Sequence, residues 1–298
     1  MGVVDRLCSH PVVGQLAGAT PRDSFTVITS LTLGILVFRG HRHDYFEIPF
    51  QLLFVAFLLV PRLRTQALFW FLIACFSGAA LWLDWRSADN HKYLLFYWLV
   101  TVFLVCKQGE QERPLMVKKV ARYLLCFTMT LAVAQKSLSP DYLSGDFFQF
   151  VLMTDERFSA MAALFCGIAP EVLEANRVLY RQASDPVNLN ATFPLLFRNE
   201  KLVLLAGVMT WLNYLIESAI AVLVLLPLSV RWSIIMHLLL IGFIAAVYAV
   251  APVLGFGWLL IIWGYCLAPN ELVALRLSYI ALFLLLCVYE APWLSLLV

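Results

Sequence analysis

The chain has 298 residues, of which 62% are hydrophobic and 13% charged, and its formal net charge is +2. Water-soluble domains carry about 25% charged and about 45–50% apolar residues, so this composition indicates an integral membrane protein. A β-barrel is excluded because its strands would alternate polar and apolar side chains, whereas residues 202–228 are apolar on every side. The small net charge and the scattered Lys and Arg residues also argue against a nucleic-acid partner.

Apolar runs recur along the chain at lengths that suit transmembrane helices, which need about 20 residues, within a range of about 17–25. They predict an all-α, polytopic membrane helix bundle of eight or nine transmembrane helices in a single domain, preceded by an N-terminal interfacial segment, residues 1–23. The predicted spans are residues 24–40, 46–61, 67–85, 92–107, 119–138, 201–227, 232–251, 254–269 and 276–295.

The basic residues predict the orientation of this bundle. If the N-terminus is cytoplasmic, the inward connections carry eleven Lys and Arg residues and the short outward connections carry four. Because positive charge accumulates in cytoplasmic loops, we expect the N-terminus of this multi-pass protein to lie in the cytoplasm.

One long segment, residues 139–200, interrupts the series of spans. It opens with Pro140, which cannot continue a helix, and with Gly145, which suits a turn. Amphipathic patterns then predict short helices over residues 147–158 and 170–182. With a cytoplasmic N-terminus this segment is an extracytoplasmic helical loop, and structured loops of this length are typical of lids and binding elements.

Ionisable residues within a span are costly and are therefore functional candidates. Lys136, Glu217, His237 and Glu290 qualify. Desolvation favours the neutral form of an amine, so Lys136 is a candidate base. The predicted topology places His91 on the same outer side, where an imidazole can donate a hydrogen bond to a developing oxyanion. The alternative is that Lys136 extends to the headgroups and His91 is a solvated loop residue.

Other motifs give no support for a cofactor or metal. The sequence has no nucleotide-binding, zinc-protease or serine-hydrolase motif, and its seven cysteines contain no Cys-x-x-Cys pair. His41 and His43 lie two residues apart in a short loop, a pattern more typical of an interface than of a metal site. We therefore predict no metal.

Two stretches of the chain have a characteristic order of residues. The first, residues 90–94, is Asn-His-Lys-Tyr-Leu, and the second, residues 134–145, is Ala-Gln-Lys-Ser-Leu-Ser-Pro-Asp-Tyr-Leu-Ser-Gly. They resemble the membrane domain of vitamin K-dependent gamma-glutamyl carboxylase and its bacterial relatives, the HTTM proteins, in which Asn-His precedes a helix and a Lys-Leu-x-x-Asp-aromatic segment ends in Gly. Glu217, Arg231 and His237 are similar to an acidic residue, an arginine and a helix histidine of that family, so the likeness extends from residue 75 to residue 270.

The resemblance implies roles for individual residues. His91 matches the histidine of the family's catalytic site, and Lys136 lies in the segment that supplies the base for deprotonating vitamin K hydroquinone. A reduced quinone is thereby implied as the cofactor. The implied substrate-binding residues are Asn90, Asp141, Tyr142, Glu217 and His237.

Two functions remain open from the sequence. The first is an enzyme or enzyme subunit that uses a lysine base on a quinol-like or lipid-like substrate at the outer face. The second is a non-catalytic scaffold or partner subunit for an exported peptide, lipid or redox complex. It is favoured by the register, since alignment on Leu138 places the family's base lysine at Ser137 and leaves Lys136 one residue before it. The expected partners are the lipid bilayer, a quinone or lipid ligand and another protein.

Overall fold

The computed structural model of the chain describes residues 11–16, 18, 20–39, 44–86, 88–183, 199–226, 229–250 and 255–290. Within these ranges every regular element is helical, which confirms the all-α prediction. His41 and His43 lie outside the described residues. In chain order the α-helices are α1 (Pro11–Leu16), α2 (Pro21–Arg39), α3 (Asp44–Leu59), α4 (Ala67–Leu83), α5 (Asn90–Cys106), α6 (Arg113–Leu138), α7 (Pro140–Leu143), α8 (Asp146–Thr154), α9 (Ser159–Cys166), α10 (Pro170–Ala183), α11 (Glu200–Leu225), α12 (Val230–Val250), α13 (Phe256–Leu267) and α14 (Val273–Glu290), with 3-10 helices at Pro61–Thr65 and Glu156–Phe158.

Two of the described helices are long and apolar enough to cross a membrane, namely Glu200–Leu225 in α11 and Val230–Tyr248 in α12. Only 28% of the most apolar window of each is buried, so neither helix is enclosed by the described residues. Six more apolar helices of 10–17 residues lie within α2, α3, α4, α5, α13 and α14. The count of eight or nine spans stays a prediction.

Packing divides the chain into two compact units. The first, called unit 1, comprises Met1–Leu125, Leu228–Ile244 and Val253–Val298. The second, called unit 2, comprises Cys126–Pro227 and Ala245–Pro252. Each unit has its own buried side chains, which are described separately.

Aromatic side chains fill the interior of unit 1. Every residue of α13 from Gly257 to Leu267 is buried, as expected for a short helix that is apolar on all sides. The Trp98 indole on α5 donates a hydrogen bond to Thr32 Oγ1 on α2 at 2.9 Å. The same ring packs edge-on against Trp263 of α13, with 6.4 Å between the ring centroids. These contacts join α2, α5 and α13.

A buried arginine ties the first described residues of unit 1 to its last helix. Arg276 Nη1 donates hydrogen bonds to the Gly18 carbonyl at 3.2 Å and to Ser24 Oγ at 3.1 Å. Its guanidinium carbon lies 4.5 Å from the centroid of the Tyr265 ring. The planar guanidinium can satisfy acceptors and stack on a ring at the same time, which an ammonium does less well.

We expect Arg276→Met to lower the free energy of unfolding by about 2–4 kcal/mol, because it removes the donor to the buried Ser24 hydroxyl and leaves the Gly18 carbonyl with the hydrogen bond from Ser24 Oγ alone. Arg231→Met, at an exposed position of α12, should change it by less than about 0.5 kcal/mol. Thermal unfolding in detergent compares the two. Equal stability of the two variants would contradict the clamping role of Arg276.

Unit 2 has a smaller apolar core. Its helices α8, α9 and α10 pack on the first turns of α11 through Leu152, Met153, Phe158, Ala162, Cys166, Ile168, Leu173, Leu202 and Ala206. Asn199 fixes the start of α11, since its side-chain oxygen accepts from the Leu202 amide at 2.7 Å and its amide nitrogen donates to the Cys166 carbonyl at 3.0 Å. The end of α9 is thereby held at the beginning of α11.

Candidate functional site

The break between α6 and α8 positions the residues of the candidate site. Helix α6 ends at Leu138 because Pro140 has no amide hydrogen to donate. Ser139 then caps α7, its hydroxyl accepting from the Tyr142 amide at 3.3 Å. Gly145, with φ 85°, adopts a left-handed conformation that glycine accommodates without strain and turns the chain into α8.

Lys136, in the last turn of α6, forms an ion pair with Glu217 of α11, with Nζ donating a hydrogen bond to Oε2. Glu217 is 5% exposed and the Lys136 side chain is 18% exposed. Withdrawing two charges from water costs several kcal/mol per ion, which their attraction has to offset. The C-terminal end of α6 also favours a cation. Each charge therefore needs the other to offset the cost of its burial.

Tyr142 covers this ion pair. Its ring centroid lies 5.2 Å from Lys136 Nζ, a cation–π contact. Its hydroxyl accepts a hydrogen bond from Asn213 Nδ2 at 2.6 Å. Because this bond uses a lone pair of the phenol oxygen, the phenol hydrogen remains a donor that can point into the site.

Ser137 points in a different direction from Lys136, since successive helical side chains are turned by about 100°. Its hydroxyl donates to the Val133 carbonyl at 2.8 Å and lies 2.9 Å from Tyr214 Oη. With its own hydrogen committed to Val133, Ser137 accepts from Tyr214. Ser137 thus forms a hydroxyl pair with Tyr214, and the amine that faces Glu217 is that of Lys136.

A polar stripe on α11 carries half of this site. Thr210, Asn213, Tyr214 and Glu217 follow the spacing i, i+3, i+4, i+7, which places them on one face of the helix. The Thr210 hydroxyl is buried and has no hydrogen-bond partner among the described residues. Of these four residues, the sequence alone indicates only Glu217 as a site residue. The stripe in an otherwise apolar helix is the signal that would have identified the other three.

Of the predicted site residues, the structure brings Lys136, Tyr142 and Glu217 together. Asp141 belongs to the same unit but is exposed, and its carbonyl accepts from Ser144 Oγ at 3.2 Å. In the residues that can be described, no three His, Cys, Asp or Glu side chains form a group suited to a metal ion.

The remaining predicted residues lie in unit 1. Asn90 is exposed at the start of α5. The His91 ring is 3.8 Å from Asp89 Oδ2 and packs so closely on Gly255 that a Cβ there would lie 2.6 Å from its Cδ2. His237 is buried and its Nδ1 is 2.8 Å from Tyr279 Oη. The pairing of His91 with Lys136, a residue of unit 2, stays a prediction.

Comparison with known proteins adds no family to this description. No protein-family model matches the chain, and neither a curated protein nor a solved structure matches it.

Proposed function

We propose that the chain is a multi-pass membrane protein of the HTTM type, with its N-terminus in the cytoplasm, that binds and deprotonates a quinol-like or lipid-like hydroxyl compound. Lys136 is the proposed base, Glu217 its acidic partner, and Tyr142 and Asn213 the groups that hold the substrate oxygen. The observation that carries the proposal is the buried ion pair between Lys136 and Glu217 beneath the Tyr142 ring.

Membrane insertion is supported by the distribution of apolar side chains. On α11, large apolar residues are exposed along the helix, and two indoles, Trp211 on α11 and Trp232 on α12, are half-exposed. Soluble monomers rarely expose contiguous apolar surfaces of this kind, whereas lipid-facing helices require them. The low charge content of the chain agrees with this assignment.

Base chemistry is supported by the composition of the site. Transfer of one proton from the Lys136 ammonium to the Glu217 carboxylate gives a neutral amine and a carboxylic acid and leaves the net charge unchanged. The amine then accepts the proton of a substrate hydroxyl, which becomes an anion beside the regenerated ammonium. The phenol hydrogen of Tyr142 can donate to this anion, as hydrogen-bond donors do in oxyanion sites.

The quinol class is supported by the polarity of the surroundings. The hydroxyl of a headgroup would meet Lys136, whose side chain is 18% exposed, and an apolar tail is compatible with the exposed apolar residues around the site. The resemblance to the carboxylase family points to the same chemical class. The site residues are neutral or paired overall, which suits an uncharged headgroup better than a phosphate.

We expect the full chain in lipid nanodiscs to accelerate the oxidation of menadiol, a naphthohydroquinone, by dissolved oxygen, because the quinol anion transfers its two electrons to oxygen faster than the neutral quinol. The Lys136→Met/Glu217→Gln double variant, which removes both charges, should lose about 100-fold of this acceleration. Quinone absorbance measures the rate. Lys201→Met, at an exposed position of α11, is the control.

The outcome also separates the proposal from a scaffold function. A wild-type chain that neither accelerates the oxidation nor gains thermal stability from menadiol would overturn the enzymatic proposal. The scaffold function has its own supporting observation, since Ser137 stands where the family has its base lysine and Lys136 is already neutralised by Glu217. In that case the ion pair only fastens α6 to α11.

A further inference from the structure

The contacts of unit 2 show an ordered progression along α11. As the chain runs forward from Lys136, its partners run backward along α11 to the N-cap of that helix. Lys136 pairs with Glu217, Ser137 with Tyr214, Tyr142 with Asn213, Gly145 with Gly207 and Cys166 with Asn199. The segment after α6 therefore does not leave the bundle at the end of that helix but follows α11 back to its first residue.

The length of α11 shows how deep in the membrane these contacts lie. The helix has 26 residues, about 39 Å at 1.5 Å per residue, whereas the hydrocarbon of a bilayer is about 30 Å thick. If α11 spans the membrane, at most about 9 Å, or about six residues, can project at either end. Residues 206–219 lie within the hydrocarbon in every such arrangement, and they contact Lys136, Ser137, Tyr142 and Gly145.

The backbone of this segment is largely hydrogen-bonded internally, as a non-aqueous environment favours. The Ser139 amide donates to Lys136, those of Tyr142 and Leu143 to Ser139, that of Ser144 to Pro140, and that of Gly145 to Tyr142. The Gln149 amide then donates to the Gly145 carbonyl at 3.0 Å and continues the series into α8. Around the turns, the chain stays hydrogen-bonded.

The exposed side chains of the segment have two different characters. Leu138 and Phe147, 83% and 45% exposed, are apolar and suit lipid. Asp141 and Asp146 are also exposed, and Asp146 accepts hydrogen bonds from Ser144 Oγ at 2.6 Å and from Gln149 Nε2 at 3.1 Å. Ionisable residues at membrane depth face protein or a water-filled cavity, never lipid tails. One side of the segment therefore faces lipid and the other faces water.

The far end of the segment has the polarity of a membrane surface. Asp155 and Arg157, which follow α8, are joined by a hydrogen bond from Arg157 Nε at 3.0 Å that holds the pKa of Asp155 below its ordinary value. Both ends of this pair are thus charged at neutral pH. Glu200 and Lys201, at the start of α11, are exposed at the same end of the unit.

We infer that residues 139–154 complete the membrane crossing begun by α6 as a broken segment, which rises beside α11 from the Lys136–Glu217 pair to the outer surface and lines a water-filled vestibule ending at that pair. This inference rests on the membrane assignment in the proposed function. It gives the proposed base a route for protons and for a polar headgroup, with Asp141 and Asp146 on the wall of the vestibule. It also revises the sequence-based expectation, in which the whole of residues 139–200 lies outside the membrane.

Spin labels at single cysteines test the inference in the full chain reconstituted into phosphatidylcholine liposomes. Cys8, Cys75, Cys126 and Cys287 are replaced by Ser, and the three buried cysteines are kept. The labelled variants are Asp141→Cys and Phe147→Cys in the segment, and Leu138→Cys at the end of α6, directly before it. Val208→Cys on α11 is the lipid reference and Glu171→Cys on α10 is the water reference. Collisions with oxygen report lipid, and collisions with a water-soluble nickel chelate report water.

We expect Phe147→Cys and Leu138→Cys to collide mainly with oxygen, and the depth of Phe147→Cys to match that of Val208→Cys within about one helical turn, about 5 Å. Asp141→Cys should collide with the nickel chelate severalfold more often than Phe147→Cys. Leu138→Cys keeps the test valid if Phe147→Cys does not fold.

Three outcomes would overturn different statements. If Phe147→Cys and Leu138→Cys are as accessible to nickel as Glu171→Cys while Val208→Cys stays in lipid, the segment is a surface loop and the broken membrane segment is rejected. If Asp141→Cys is as dry as Phe147→Cys, the vestibule is rejected. If Val208→Cys is itself in water, α11 does not span the membrane and the proposed function fails with it.

Discussion

Replacing Lys136 by Met is expected to lower the free energy of unfolding by about 3 kcal/mol, because it leaves the buried Glu217 carboxylate without its partner. Glu217→Gln should cost a similar amount, since the Lys136 ammonium then has no counter-charge. The double variant should lie within about 1 kcal/mol of wild type, because a neutral pair of similar volume removes the uncompensated charge. Denaturant titration in detergent gives the three values and the coupling energy between the two positions.

A second ion pair provides the matched control for this cycle. Lys92 Nζ and Asp84 Oδ2 are 3.4 Å apart in unit 1, but their side chains are more exposed than those of Lys136 and Glu217. Exposed pairs contribute about 0–1 kcal/mol, so the Lys92→Met/Asp84→Asn cycle should give a coupling energy at least about 2 kcal/mol smaller. Equal coupling in the two pairs would mean that Glu217 is not buried with Lys136 in the native protein.

The helical class and the two longest apolar helices follow directly from the sequence. The spans predicted at residues 201–227 and 232–251 correspond to Glu200–Leu225 and Val230–Val250, because long and predominantly apolar helices leave an unambiguous pattern. The span predicted at residues 119–138 begins earlier, at Arg113. Its first turns contain Lys and Arg, which form helices well but do not register as apolar.

The site is predictable only in part, since a sequence shows which residues are unusual but not which of them meet. Lys136 and Glu217 stand out as charges in apolar runs, yet they are 81 residues apart, and their pairing depends on the register between α6 and α11. Asn213 and Thr210 do not stand out individually, because one polar uncharged residue in a span is unremarkable in composition. Only their common helical face, together with Glu217, distinguishes them.

Gly264→Ala is expected to destabilise unit 1 strongly by adding a single methyl group. A Cβ at Gly264 of α13 would lie 2.4 Å from Tyr279 Cε1 and Cζ and 2.7 Å from its Oη. Tyr279 is completely buried on α14, and its hydroxyl bonds to His237 on α12. The ring cannot move away without opening the core and breaking that hydrogen bond. Overpacking costs about 1–3 kcal/mol and the lost bond about 1–3 kcal/mol.

Gly242 on α12 is the matched control, since nothing lies within 4 Å of the position that its Cβ would take. In a helix, Ala is favoured over Gly by about 0.5–1 kcal/mol, so Gly242→Ala should leave the melting temperature unchanged or raise it, whereas Gly264→Ala should lower it by several degrees. Thermal unfolding in detergent measures both. The Tyr279→Phe variant then separates the two costs of the single change, because it removes the hydrogen bond to His237 without adding a methyl group. The stability that Gly264→Ala loses beyond that of Tyr279→Phe is the cost of overpacking. If Gly264→Ala alone is as stable as Gly242→Ala, α13 and α14 are not packed at van der Waals contact, and the His237–Tyr279 bond does not depend on Gly264.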